Sequence, residues 1–129
     1  MINRTILKNA HKHGFHESEI YEAYKIFFGT LVSESRLKII NLLRKGKKNV
    51  SQIMDELESD QTSVSHDLAR MRRCGFVKVE INGKFRNYKL NVDTIKPLME
   101  LIDNHMSLFC IHILRAVKQA KEVNRNEKL

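Results

Sequence analysis

Apolar residues recur at helical spacing through most of this chain and alternate with polar ones in a single stretch. Val64, Leu68 and Met71 form a stripe at i, i+4 and i+7. The helix they predict starts after Asp60, whose carboxylate can cap the first turn, and stops at Gly75. Upstream, Ile20, Tyr21, Tyr24, Phe27 and Phe28 give residues 18–31 an aromatic-rich face suited to a core or a dimer interface. Ser33 caps a second helix, with Glu34 at the positive end of its dipole, and Leu37, Ile39, Ile40, Leu42 and Leu43 fill its buried side. The basic turn Arg44-Lys45-Gly46-Lys47-Lys48 closes it. A short third helix buries Ile53, Met54 and Leu57, takes Ser51 as its cap and ends at Glu58-Ser59. Two short helices about three residues apart make a helix-turn-helix.

After Gly75 the period changes to two. Phe76, Val77, Val79 and Ile81 lead to Asn82-Gly83, a type I′ hairpin signal, and Phe85, Tyr88 and Leu90 return. From about Thr94 to Lys121 one long helix is expected, capped by Asp93 or Thr94, with Pro97 tolerated in its first turn. Ile95, Met99, Ile102, Met106, Phe109, Ile113, Ala116 and Ala120 follow a near-heptad stripe, widened by Leu98, Leu101, Leu114 and Val117. That is more apolar face than one small domain can cover. A partner helix is implied, and a symmetric homodimer is the simplest supplier. The expected architecture is mainly α with a small β-hairpin wing: a winged helix-turn-helix that dimerises through the helix at 18–31 and the last helix. Tyr21, Tyr24, Phe28, Met99, Ile102, Met106, Phe109 and Ile113 would form the interface. The expected divisions are a flexible basic arm at 1–16 holding His11, His13 and His16, the winged domain at 17–91, the dimerisation helix at 92–123 and a frayed tail at 124–129.

Charge gives the outer face of the 61–73 helix a meaning. The chain carries +8 overall, and residues 61–90 hold seven Lys and Arg against Asp67 and Glu80, so +5 sits in that block. Such a localised excess is the footprint of a polyanion. Gln61, Thr62, Ser63, Ser65 and His66 are short groups able to read base edges near a helix N-terminus, and Arg70 and Arg73 lie further along. Lys84 and Arg86 belong to a wing suited to the sugar–phosphate backbone. The implied partner is double-stranded DNA carrying an inverted repeat.

No run approaches the roughly 18–20 apolar residues that span a bilayer, and no leader is expected at the N-terminus, so no membrane partner is foreseen. Two cysteines make no disulfide framework and read as reduced thiols in a cytoplasmic protein. There is no nucleophile–base–orienter set, and an enzyme is not expected.

The segments Leu31-Val32-Ser33-Glu34-Ser35-Arg36-Leu37-Lys38-Ile39-Ile40 and Gln61-Thr62-Ser63-Val64-Ser65-His66-Asp67-Leu68 resemble the ArsR/SmtB family. Gly75-Phe76-Val77, Asn82-Gly83 and Asn87-Tyr88-Lys89-Leu90 extend the resemblance, which covers about residues 20–120. It implies a small homodimeric winged-helix repressor, with Gln61, Thr62, Ser65 and His66 in the groove and Arg86 on the backbone. Asp67 departs from the pattern, where Gln is frequent. It calls for a cytosine amino group or for pairing with Arg70 or Lys84. Many members release DNA on binding metal, yet the family's two-thiolate site corresponds here to Asn49, Val50 and Ser51. Its last-helix site corresponds to Val92, Thr94, His105 and Leu108, of which only His105 matches.

His105, Cys110 and His112 are the remaining metal candidates, for zinc or nickel. The two histidines, seven apart, share a face of the last helix, and Cys110 points elsewhere. The alternative is two interface histidines and a small apolar thiol. Cys74, beside Arg72 and Arg73, reads either as redox-responsive or as packing before Gly75. The competing function is a winged helix used for protein interaction or as an architectural DNA-binding module without an effector.

Overall fold

The computed structural model describes residues 1–127. The chain divides into two compact units, Met1–Asn91 and Val92–Leu129.

The first unit opens with a helix where a loose arm is expected. Helix α1, Arg4–Lys12, is capped by Asn3, whose Oδ1 accepts the Thr5 amide at 2.8 Å. Ile6 and Ala10 lie at i and i+4 and line, with Phe15, Ile20, Ala23 and Ile26, an apolar groove of about 640 Å³ between α1 and the next helix. That spacing is the signal hidden among the basic and polar residues of the arm. Helix α2, Glu17–Leu31, begins where Glu19 accepts the His16 amide. Helix α3, Glu34–Leu43, is capped by Ser33, as its spacing suggests.

The last residue of the basic turn, Lys48, is recruited into a sheet. Strand β1, Lys48–Asn49, pairs antiparallel with β3, Phe85–Leu90, which pairs with β2, Val77–Asn82, so the order is β1-β3-β2. Helix α4, Val50–Leu57, is capped by Asn49 rather than by Ser51. Asn49 and Gln52 exchange backbone and side-chain bonds at 2.9 Å in a reciprocal capping box, which Ser51 cannot form from inside the helix. Glu58 ends α4 in the left-handed region at φ +52° and turns the chain into α5, Gln61–Arg73. Asp60 caps α5, and its Oδ1 accepts the Ser63 amide at 2.7 Å.

Ile39, Ile40, Ile53, Val64, Leu68, Met71 and Phe76 are almost fully buried and form the centre of the unit. The Phe76 ring stacks on Phe27 of α2 at 5.0 Å, and its amide and carbonyl bond Met71 and Asn91. Gly75, at φ +76°, reverses the chain out of α5 into β2. In the hairpin Asn82 faces Phe85, so the two turn residues are Gly83 and Lys84, one place later than the Asn-Gly signal marks. Gly83 has φ +61° and Lys84 is not among the positive-φ residues, which is the demand of a II′ turn rather than I′.

The second unit holds α6, Ile95–His105, then a π-helical turn, Met106–Cys110, then α7, Ile111–Glu127. The single long helix expected here is therefore interrupted, and Thr94 makes no side-chain cap bond. Met99 is buried and Ile102 half-buried, whereas α7 has no buried residue. Residues 124–127 are helical where fraying is expected, and the last two positions of that tail lie outside the described residues. No helix among the described residues is long and apolar enough to cross a membrane.

Candidate nucleic-acid interface

Helix α5 presents two unlike faces. Val64, Asp67, Leu68 and Met71 are buried. Thr62, His66, Ala69 and Arg73 recur at i, i+4, i+7 and i+11, and all are exposed, so they draw the outward stripe. Gln61 and Ser65 flank it and are exposed as well. Ala69, in the middle of this stripe, has no place among the sequence candidates. A methyl group there lets neighbouring side chains and the helix backbone approach a partner closely.

Two candidates are otherwise engaged. The Ser63 hydroxyl donates to Asp60 Oδ2 at 3.2 Å within the cap. Arg70 is half-buried, and its Nε donates to Thr30 Oγ1 on α2 at 3.3 Å, so it is held to the side of the outward stripe. The Asp60 carboxyl is pushed below its ordinary range, chiefly by the Ser63 amide and hydroxyl.

Asp67 pairs with neither of the partners foreseen for it. Arg36 of α3 donates to its Oδ1 at 3.1 Å and the Ser35 hydroxyl to its Oδ2 at 2.7 Å. The reason is rotational: Asp67 shares the inward face with Val64 and Leu68, away from Lys84 and from any groove. The charge is buried and matched inside the domain, so it faces no DNA phosphate. The motif Ser35-Arg36 was in view as part of the resemblance, but nothing in one-dimensional spacing links it to a residue 31 positions on.

The wing sorts its charges. Glu80 receives both Lys47, at 3.3 Å, and Lys89, and these cations hold its carboxyl below the ordinary range. Lys84 and Arg86 are exposed at the tip and make no ion pair among the described residues, and neither does exposed Lys78. Phe85 and Ile81 are exposed at the same tip.

The remaining candidates separate. On α2, Tyr21, Tyr24 and Phe28 form a chain of ring contacts at 6.2 and 6.5 Å and remain exposed, with Phe28 at 56%. Met106, Phe109 and Ile113 are exposed in the second unit. Among the described residues no three His, Cys, Asp or Glu side chains are grouped to hold a metal ion. The π turn also undoes the shared face of His105 and His112. One extra residue in a turn sets the following helix back by about 100°, and His105 instead packs its ring on Phe109 at 4.8 Å. Cys74 lies 3.6 Å from Thr30 Oγ1 and is half-buried.

An outward polar stripe on the second helix of a helix-turn-helix, with a basic wing beside it, defines a winged helix-turn-helix DNA-binding protein. Known proteins agree. Residues 33–79 match the model of the bacterial regulatory proteins of the arsR family. The chain is 33% identical over 86 residues to an uncharacterized HTH-type transcriptional regulator, MJ1325, of Methanocaldococcus jannaschii, covering 66% of this chain and 97% of that one. It is 27% identical over 85 residues to the transcriptional activator HlyU of Vibrio cholerae, covering 66% of this chain and 76% of HlyU. The structure of reduced HlyU superposes with a TM-score of 0.59 over 72% of this chain and 95% of that one, at 25% identity. The homodimeric winged helix-turn-helix DNA-binding domain of Mb0332 from Mycobacterium bovis superposes with a TM-score of 0.67, at 19% identity, over 73% of this chain and 87% of that domain. The chain belongs to the ArsR family of winged helix-turn-helix transcriptional regulators. It is a regulator and not an enzyme.

Proposed function

We propose that the chain acts as a homodimeric repressor in the cytoplasm, placing α5 of each copy in a major groove of an inverted-repeat operator. The observation that carries this reading is the outward stripe of α5, which leaves short donors and acceptors uncommitted while its one carboxylate is locked inside. Gln61, Thr62, Ser65 and His66 read bases. Arg73, Lys84 and Arg86 bind phosphate, and the wing rests on the backbone. Ser63 and Arg70 serve mainly to seat the helix. Half-sites lie about one helical turn apart, as the two-fold symmetry of such dimers requires.

The second copy covers two apolar surfaces: the aromatic face of α2, and the stripe of the second unit that the π turn carries from Ile102 and Met106 on to Leu114 and Val117, turning Phe109 and Ile113 aside. The homodimeric state of the Mb0332 domain supports this assembly. Occupying a promoter then blocks transcription; HlyU, by its name an activator, shows that the fold also serves the opposite outcome.

Anisotropy titrations on a duplex selected by the protein from random DNA test the reading. Gln61→Ala with Ser65→Ala brings the affinity for that duplex toward the affinity for shuffled DNA, and leaves shuffled-DNA binding unchanged. Parental preference in the double variant refutes the assignment of α5. A reporter driven from the selected site, silenced by the parent and released by the double variant, tests repression.

A further inference from the structure

The Arg36–Asp67 pair joins more than two helices. Asp67 belongs to the buried face of α5, where an ionised carboxylate is costly unless it is matched. Both its oxygens are taken, by Arg36 at 3.1 Å and by Ser35 at 2.7 Å, and the two charged side chains are only 12% and 9% exposed. Arg36 also donates backward to the last turn of α2. Its Nε bonds the Thr30 carbonyl at 2.8 Å and a terminal nitrogen bonds the Gly29 carbonyl at 3.3 Å. One rigid, planar guanidinium therefore ties the end of α2 to the middle of α5. Arg70 adds a parallel tie one turn further along, from α5 to Thr30 Oγ1. The same last turn of α2 carries Phe28, whose ring is exposed on the aromatic face.

We propose that Arg36 and Asp67 are positioning residues that hold the recognition helix at a fixed angle to α2, and so fix the half-site spacing the dimer accepts. This rests on the homodimeric reading above. An apolar contact at this place would bury as much surface but would let α5 slide or rotate over α3. Three bonds donated by one guanidinium, two to carbonyls of α2 and one to the carboxylate, and a fourth donated by the Ser35 hydroxyl leave it one orientation. In a dimer joined through α2, that orientation sets the distance between the two recognition helices. The pair therefore governs geometry rather than contact, since neither residue reaches the outward stripe.

The test uses the full chain and duplexes carrying two copies of the half-site selected by the parent, with spacers lengthened or shortened by one base pair. The parent discriminates against the altered spacers by about tenfold. Asp67→Asn and Arg36→Lys bring the altered and parental spacers within about threefold of each other, while affinity for shuffled DNA and its salt dependence stay parental. Should either single variant fail to fold, Arg36→Met with Asp67→Leu replaces the pair by apolar groups that preserve packing. Circular dichroism confirms that it folds, and it shows the same loss of spacing selectivity. Undiminished spacing selectivity in a folded variant overturns the proposal, as does an equal loss of affinity on every duplex. A parent that binds selected and shuffled DNA alike, or that sediments as a monomer on DNA, refutes the homodimeric reading and this inference with it.

Discussion

Helices α5 and α7 are both amphipathic, and they spend their apolar residues differently. Helix α5 buries Val64, Leu68 and Met71 to 1% exposure or less and even takes a carboxylate into its inner face. Helix α7 buries nothing: Ile111, Ile113, Leu114, Val117 and Val123 are all exposed. The first helix owes its place to the chain's own core. The second carries an apolar stripe that the single chain leaves uncovered, and that the homodimer proposed above would cover. One helix serves folding; the other, on that proposal, serves assembly.

That contrast breaks most visibly under paired substitutions. Leu68→Ala leaves a cavity in the core and costs about 2–5 kcal/mol in urea unfolding, with the dimer dissociation constant following only through the folded fraction. Leu114→Asp does the reverse. It shifts sedimentation from dimer to monomer, with dimerisation weakened by about thirtyfold or more, and the helical signal of the remaining domain persists. Equal effects of the two on folding and on assembly would erase the distinction drawn between the helices.

A smaller effect separates the uncommitted cations of the wing from the committed ones. Lys84→Ala weakens binding to every duplex and lowers the slope of log affinity against log salt by about one. Lys47→Ala, which removes a partner of Glu80, changes the slope less, because that charge is already matched. Titrations at several salt concentrations compare the two.

The smallest effect is acid sensitivity. Asp60 and Glu80 have folded pKa values below their ordinary 3.8 and 4.5, the first through the Ser63 bonds and the second through Lys89 and Lys47. Their contribution is present above those ordinary values and is lost as pH falls through the lower folded ones. Both groups are exposed, so solvent screens the effect. Asp60→Asn keeps a good cap and flattens the acid limb of thermal stability without changing it at neutral pH.

Local chemistry made much of this fold readable. Ser33 and Asp60 cap where their spacing to the apolar stripes says they should, since a cap is a bond over three residues. The wing showed in the change of period after Gly75. Features that depend on partners distant in sequence stayed hidden. Strand β1 is two residues long and exists only because β3 offers an edge. Helix α1 forms beside α2, and its groove-lining apolar residues, Ile6 and Ala10, are diluted by polar neighbours. The reading face of α5 was largely visible as residue types. Its phase was legible too, because Val64, Leu68 and Met71 mark the inward side; only Asp67 was misplaced, since it looks like a surface residue until Arg36 is beside it.

The π turn at Met106–Cys110 has a consequence for insertions and deletions. It accommodates one residue more than the same length of α-helix would, so the stripe led by Ile102 and Met106 is carried on by Cys110, Leu114 and Val117 instead of Phe109 and Ile113. Deleting one residue from this turn would let the helix run straight and would leave Leu114 and Val117 on the side they already hold, because the turn absorbs the extra residue. Two lengths of this chain, differing by one residue here, would thus present the same half of the last helix to the same partner. A codon lost at this point is silent for the subunit contact, whereas one lost from the regular helix beyond it would rotate all that follows by about 100°.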